Sequence, residues 1–230
     1  MSTSLAPRQR KKAREKRDPG ATRRALLAAG ARLFSEKGYA AVSVEDLARR
    51  AGVNKALISY HFGGKRGLYA AVLESGFAEM AFRLRVVVGA ADAREGLHRF
   101  FGVFEEMTRE RSDFPALFLR EAVSKGIEPA VVPHLLEIMG ITRRLAQRGH
   151  REGRFRKVDP LLFHFGLVGA LGFFFATEPA RRRAAAHVPF EMPTPGAFIR
   201  HLEEMTLRGL APGPSPTTKQ KSNKRKGART

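Results

Sequence analysis

The chain has no cysteine in its 230 residues, which excludes disulfides, thiolate nucleophiles and thiolate metal sites. It also lacks any apolar run close to the roughly 20 residues of a membrane-spanning helix. Its first residues, MSTSLAPRQRKK, lack the apolar stretch of a secretory signal. A cytoplasmic protein without a membrane partner is therefore expected. No segment alternates apolar and polar residues with the β-branched enrichment of a strand, so the fold class expected is all-α. Catalytic and phosphate-binding fingerprints are missing as well: residues 74–210 contain no GxGxxG, no P-loop and no HExxH. His134 and Glu137 share a helix face, but two ligands without a third make a poor metal site. No metal, no cofactor and no enzymatic activity are expected.

What the chain has in excess is positive charge, a formal +20. Its distribution matters more than its size. Residues 1–20 carry seven Lys/Arg against two acids, and residues 211–230 carry six against none. Residues 21–72 carry nine against three, and residues 73–210 carry twenty against seventeen. The body thus has a basic N-terminal third and a nearly balanced remainder, the asymmetry of a nucleic-acid module joined to a module with other work. Both tails are poor in large apolar residues and cannot offset the entropy of ordering, so they are expected to be disordered.

Helical periodicity runs through the body. Pro19-Gly20 breaks the chain, Thr22 caps, and Leu26, Leu27, Gly30, Leu33 and Phe34 form one stripe before Gly38. Ser43 with Asp46 makes a capping box for a short second helix that stops at Gly52. Asn54 caps a third helix from Lys55 to Phe62, Gly63-Gly64 interrupts it, and a longer helix starts near Lys65. Further helices are expected over 94–110, 116–125, 132–151, 160–176 and 195–208. Two short helices around the turn Gly52-Val53-Asn54 read as a helix-turn-helix, whose second helix enters the major groove of double-stranded DNA. At about 100° per residue, Leu57, Ile58, His61 and Phe62 share one arc of the third helix, and Lys55, Ala56, Ser59 and Tyr60 the other.

The second arc is the expected reading face. Lys55 can reach a guanine edge or a phosphate, Ser59 either base type, Ala56 a thymine methyl, and Tyr60 a phosphate. Lys65 adds its charge to the free amides of a helix start, a natural phosphate clamp. Thr22 and Ser43, as caps, are placed for similar backbone contacts. His61 falls on the inner arc, where packing and DNA contact are equally open.

The run TRRALLAAGARLFSEKGYAAVSVEDLARRAGVNKALISYHFGGKRGLYAAVL resembles the DNA-binding region of the TetR (tetracycline-repressor) family, most specifically in LFSEKGY, SVEDLARRAGV and YHFGGKRGLY. It departs at Leu57 and Ser59, where members often have threonine and tyrosine, and at Arg66, where glutamate is frequent; these bear on base preference rather than fold. The resemblance implies a repressor that binds a palindromic operator as a homodimer and is released by a small apolar or amphipathic effector. It divides the chain into a basic arm (1–20), a helix-turn-helix domain (21–72), a helical ligand-binding and dimerisation domain (73–210) and a basic tail (211–230). Phe101, Phe104, Phe118 and His164, apolar walls with one polar group, are the pocket candidates. LLFHFGLVGALGFFFA is apolar on all sides, so it is either central to the core or buried against a second subunit; pairing with 195–208 across a dimer is favoured. A nonspecific nucleic-acid-binding protein acting through its tails is the alternative.

Overall fold

The computed structural model describes residues 19–89, 92–123 and 126–212. The two tails therefore lie almost wholly outside the described residues. Within them the fold is all-α, in ten α-helices: α1 (Pro19–Lys37), α2 (Val44–Ala51), α3 (Ala56–Phe62), α4 (Lys65–Val88), α5 (Ala93–Glu110), α6 (Phe114–Ala122), α7 (Val132–Arg151), α8 (Pro160–Ala176), α9 (Glu178–Ala184) and α10 (Pro195–Leu210). Short 3-10 turns, Pro129–Val131 and Ala185–His187, precede α7 and follow α9.

Helix starts follow local chemistry, with three departures from the sequence reading. First, α1 begins at Pro19, so Thr22 lies inside the helix and does not cap it. Proline is tolerated in a first turn because its missing N–H has no partner there anyway. Second, α6 covers Phe114–Ala122, two to three residues earlier than expected, with Pro115 in its first turn. Third, α9 has no apolar stripe and escaped a periodicity search. It is held by Arg181, whose guanidinium lies 3.6 Å from the centre of the Phe174 ring and bonds to Thr177 Oγ1 (2.8 Å) and the Phe174 carbonyl. Phe174 in turn stacks flat on Phe198 of α10, with ring centres 3.8 Å apart.

α4 is the spine. It packs against α1 and α3 at one end and against α5 and α7 along its length. Its 24 residues span about 36 Å at 1.5 Å per residue. One hydrophobic cluster runs without interruption from Leu26 in α1 to Leu210 in α10, so the N-terminal helices share a core with the rest. Phe77 of α4 meets Phe114 edge-on at 5.2 Å and Phe118 at 5.6 Å; burial of each such ring stabilises by about 1.5–3 kcal/mol. No single described helix is long and apolar enough to cross a membrane.

Candidate nucleic-acid interface

The helix-turn-helix is built by short-range bonds. Ser43 Oγ accepts from the Asp46 amide at 3.0 Å, and Asp46 Oδ2 accepts from the Ser43 amide at 3.3 Å, closing the capping box. The Ser43 hydroxyl, first, and its amide hold the Asp46 carboxyl below the usual carboxylate range. Gly52 has φ +67°, the left-handed conformation that ends α2, and its N–H bonds back to the Arg49 carbonyl at 3.3 Å. Asn54 Oδ1 accepts from the Ala56 amide at 2.9 Å and caps α3 from one residue outside it.

α3 presents the two faces that its sequence encodes. Ile58 is fully buried, while Leu57, His61 and Phe62 are half-buried. Lys55, Ala56, Ser59 and Tyr60 are exposed, Tyr60 to 78%. His61 lies beside its helical neighbours, 5.0 Å from the Tyr60 ring and 6.2 Å from Phe62. The two lysines are not free-swinging. Lys55 Nζ lies 3.3 Å from Glu45 Oε1 of α2, both side chains about two-thirds exposed, a pair of little net strength in water. Lys65 Nζ sits over the Tyr39 ring, 4.3 Å from its centre. Ser43 is exposed at the start of α2 and Thr22 half-buried in α1.

Two positioning residues escaped the sequence reading. Tyr39 forms the shelf under Lys65 and packs on Tyr69 at 5.0 Å. The Tyr69 hydroxyl donates to Glu121 Oε2 of α6 at 3.2 Å, and burial, then the Glu121 charge, pushes its pKa up to about 12. The other is Gly67, in the first turn of α4: a Cβ there would stand 1.7 Å from the Phe62 carbonyl oxygen. Only glycine lets the end of α3 sit this close to α4. Its signal was present in YHFGGKRGLY, but an isolated glycine in a helical pattern does not say what it touches.

The pocket candidates are placed differently. Phe101 and Phe104 are buried beside Phe100, Phe118 packs on Phe77 and would strike a Cβ at position 172, and His164 Nδ1 is 2.9 Å from Thr142 Oγ1 of α7. The Thr142 hydroxyl donates to the Met139 carbonyl at 3.0 Å, leaving His164 to donate to it; burial lowers the pKa of that ring. None of the four described clefts is lined by any of these four residues, because α5, α6 and α8 pack them into or against the core. Among the described residues no three ligating side chains converge as a metal site, and Glu137 is bound to Arg85 at 2.7 Å.

α8 has a split surface. His164, Leu167, Val168, Leu171 and Phe175 face the core, whereas Leu162 (75% exposed), Phe165 (62%) and Phe173 (64%) face outward with Gly166 and Gly169.

Comparison with known proteins places this arrangement. The family described as bacterial regulatory proteins, tetR family, matches residues 26–72. The HTH-type transcriptional repressor NicS of Pseudomonas putida is 22% identical over 199 residues, covering 82% of this chain and 92% of that protein. The HTH-type transcriptional repressor Rv3405c of Mycobacterium tuberculosis is 48% identical over 50 residues, which is 22% of this chain and 27% of its own. Among solved structures, the TetR family transcriptional regulator PfmR from Thermus thermophilus aligns with a TM-score of 0.65 at 24% identity, covering 81% of this chain and 99% of its own. FadR from Bacillus subtilis in complex with stearoyl-CoA aligns with a TM-score of 0.67 at 16% identity, covering 81% and 98%. With the family match lying on α1 to α4, where the capping box, the Gly52 turn and the outward face of α3 stand together, residues 26–72 are a tetR-family helix-turn-helix, and the chain is similar along most of its length to a helix-turn-helix transcriptional repressor.

Proposed function

We propose that the protein is a homodimeric repressor that sets two copies of α3 into successive major grooves of a palindromic operator and is released by a small apolar or amphipathic effector. The half-sites would lie about 34 Å apart or a multiple of it. The observation that carries the reading is the outward face of α3, where Lys55, Ala56, Ser59 and Tyr60 are all exposed over a buried Ile58. In this reading Lys55 and Ser59 read base edges, Ala56 permits close approach, Tyr60 and Lys65 hold phosphates, and Ser43, Thr22 and His61 flank them. Lys55 gives up the Glu45 ion pair when it meets DNA, a small cost for an exposed pair.

The dimer reading is supported by the apolar outer stripe of α8. Leu162, Phe165 and Phe173 recur at helical spacing over about 16 Å, Leu162 and Gly166 border a cleft with Thr206, Gly209 and Leu210 at the end of α10, and Met205 of α10 is 57% exposed. A contiguous apolar stripe of this kind marks an interaction surface. The effector reading is supported by the likeness to a regulator solved with stearoyl-CoA. α4 carries Lys65 at one end and packs on α5 and α7 along its length, so a ligand that favours another setting of α4 changes the separation of the two reading heads.

The test is operator selection from a random duplex library with the full chain, alongside sedimentation. A dimer at micromolar concentration that enriches a palindrome at moderate salt is the expected result. A monomer with no preference over random DNA sinks the proposal. Removing residues 1–18 and 212–230 should leave operator choice intact and reduce only the salt-sensitive nonspecific component.

A further inference from the structure

A second basic cluster lies far from the helix-turn-helix. Of the fifteen residues 143–157, seven are Arg or Lys and one is acidic, although residues 73–210 as a whole are nearly balanced. Glu152 accepts from the Ala93 amide at 2.8 Å and Arg154 lies 3.7 Å from Asp92. The cluster therefore sits just beyond the end of α4, opposite the end that bears Lys65.

The C-terminal half of α7 and the end of α4 enclose a groove of about 380 Å³, within the size range of small-molecule sites. Leu84, Val88, Ile141 and Leu145 form its floor, and Arg85, Arg144, Arg148 and Arg151 stand around it. Arg85 is paired with Glu137 and Arg148 with Glu152. Arg144 and Arg151 are exposed and have no carboxylate partner among the described residues. Arginines in the last turn of a helix complement its dipole, which accounts for Arg148 and Arg151 at the end of α7 and for Arg85 at the end of α4, but not for Arg144.

The apolar side of the groove continues outward. Phe82 and Val86 of α4 and Leu136 of α7 are 55%, 60% and 60% exposed, and the Arg85 guanidinium that joins the two helices lies 5.7 Å from the Phe82 ring. Exposed apolar side chains on both helices thus flank the arginine-ringed groove. Along α7 the distance from Leu136 to Arg151 is about 22 Å at 1.5 Å per residue.

We infer that this groove binds an elongated anionic amphiphile as a free small molecule, its apolar body along Phe82, Val86 and Leu136 and its carboxylate or phosphate head on Arg144 and Arg151. Charge complementarity chooses the occupant. The chain's own tails are strongly basic and are repelled, whereas planar guanidinium forks bond carboxylate and phosphate oxygens in pairs. The inference rests on the effector reading above and gives that effector a chemical class and an entry point on α4.

Calorimetric titration of the full chain with dodecyl phosphate, dodecanoate and dodecanol, each below its micellar concentration, tests it. One anion per chain should bind, dodecanol should not compete, and Arg144→Gln with Arg151→Gln should weaken binding by about tenfold or more. Leu136→Glu should weaken it too. The better-bound of the two anions identifies the head group. Unchanged affinity in the double variant, equal binding of dodecanol, or binding only to phosphatidylglycerol vesicles would overturn it. Operator affinity measured without ligand should be unchanged in these variants. Loss of operator binding in the unsubstituted protein would instead sink the repressor reading.

Discussion

α3 and α8 each turn one face to the core and leave the other without a protein partner, but the chemistry of the open faces is opposite. α3 exposes a lysine, an alanine, a serine and a tyrosine; α8 exposes leucine, two phenylalanines and two glycines. A polar face with small side chains suits a wet, charged groove, where water and phosphate compete for every bond. An apolar face at the same degree of exposure is costly in water and calls for a second apolar surface. Exposure alone does not define a site; the polarity of what is exposed selects the partner.

The most damaging change to this contrast makes α8 resemble α3. Phe165→Asp with Phe173→Asp should dissociate the dimer in sedimentation and reduce operator binding toward the nonspecific level, which for such proteins is about a thousandfold weaker or more. A dimer that survives both changes would remove α8 from the interface. Gly67→Ala attacks the other helix without touching its face. The Cβ must displace the Phe62 carbonyl, and with a typical overpacking cost of about 1–3 kcal/mol operator affinity should fall by about tenfold while the dimer persists; wild-type affinity would mean that the α3–α4 junction is compliant.

Lys65→Ala sharpens the contrast more gently. It should weaken binding to all sequences alike and lower the slope of affinity against salt by about one unit, whereas Lys55→Ala should also alter base preference. An unchanged salt slope would take Lys65 off the phosphate contacts and leave it as packing on Tyr39. Smallest is Ser43→Ala, which removes the α2 cap and should cost about 1 kcal/mol of stability in a denaturant titration. The Asp46 carboxyl is held below its ordinary pKa chiefly by the Ser43 hydroxyl. Its contribution is therefore present at neutral pH and is lost as pH falls through the folded value. The variant should show a shallower loss of stability in acid, and an unaltered acid limb would mean that the capping box contributes nothing in solution.

Much of the reading helix was legible from the sequence because its determinants are local. Ser43 and Asp46 are three residues apart, Gly52 ends α2 by its own backbone angles, and the split of α3 into Ile58 and Lys55/Ser59 faces follows from 100° per residue. The shelf under Lys65 was not legible, since Tyr39 and Lys65 meet only after α1 and α4 have packed. Thr22 was misread as a cap because proline signals both a chain break and a helix start, and here Pro19 is already helical. α9 was missed because Arg181 holds it through Phe174, a contact that no periodicity carries.

The all-α class, the helix-turn-helix and its outward face are written along the chain, because caps, turns and helical periods act over a few residues. Packing alone sets which phenylalanines fill the core and which stand in water on α8, because a helix apolar on all sides has no preferred face until its neighbours choose one. It likewise decided that arginines on α7 and α4 face one another across an apolar floor, since charge counted along a chain is blind to what packing brings together.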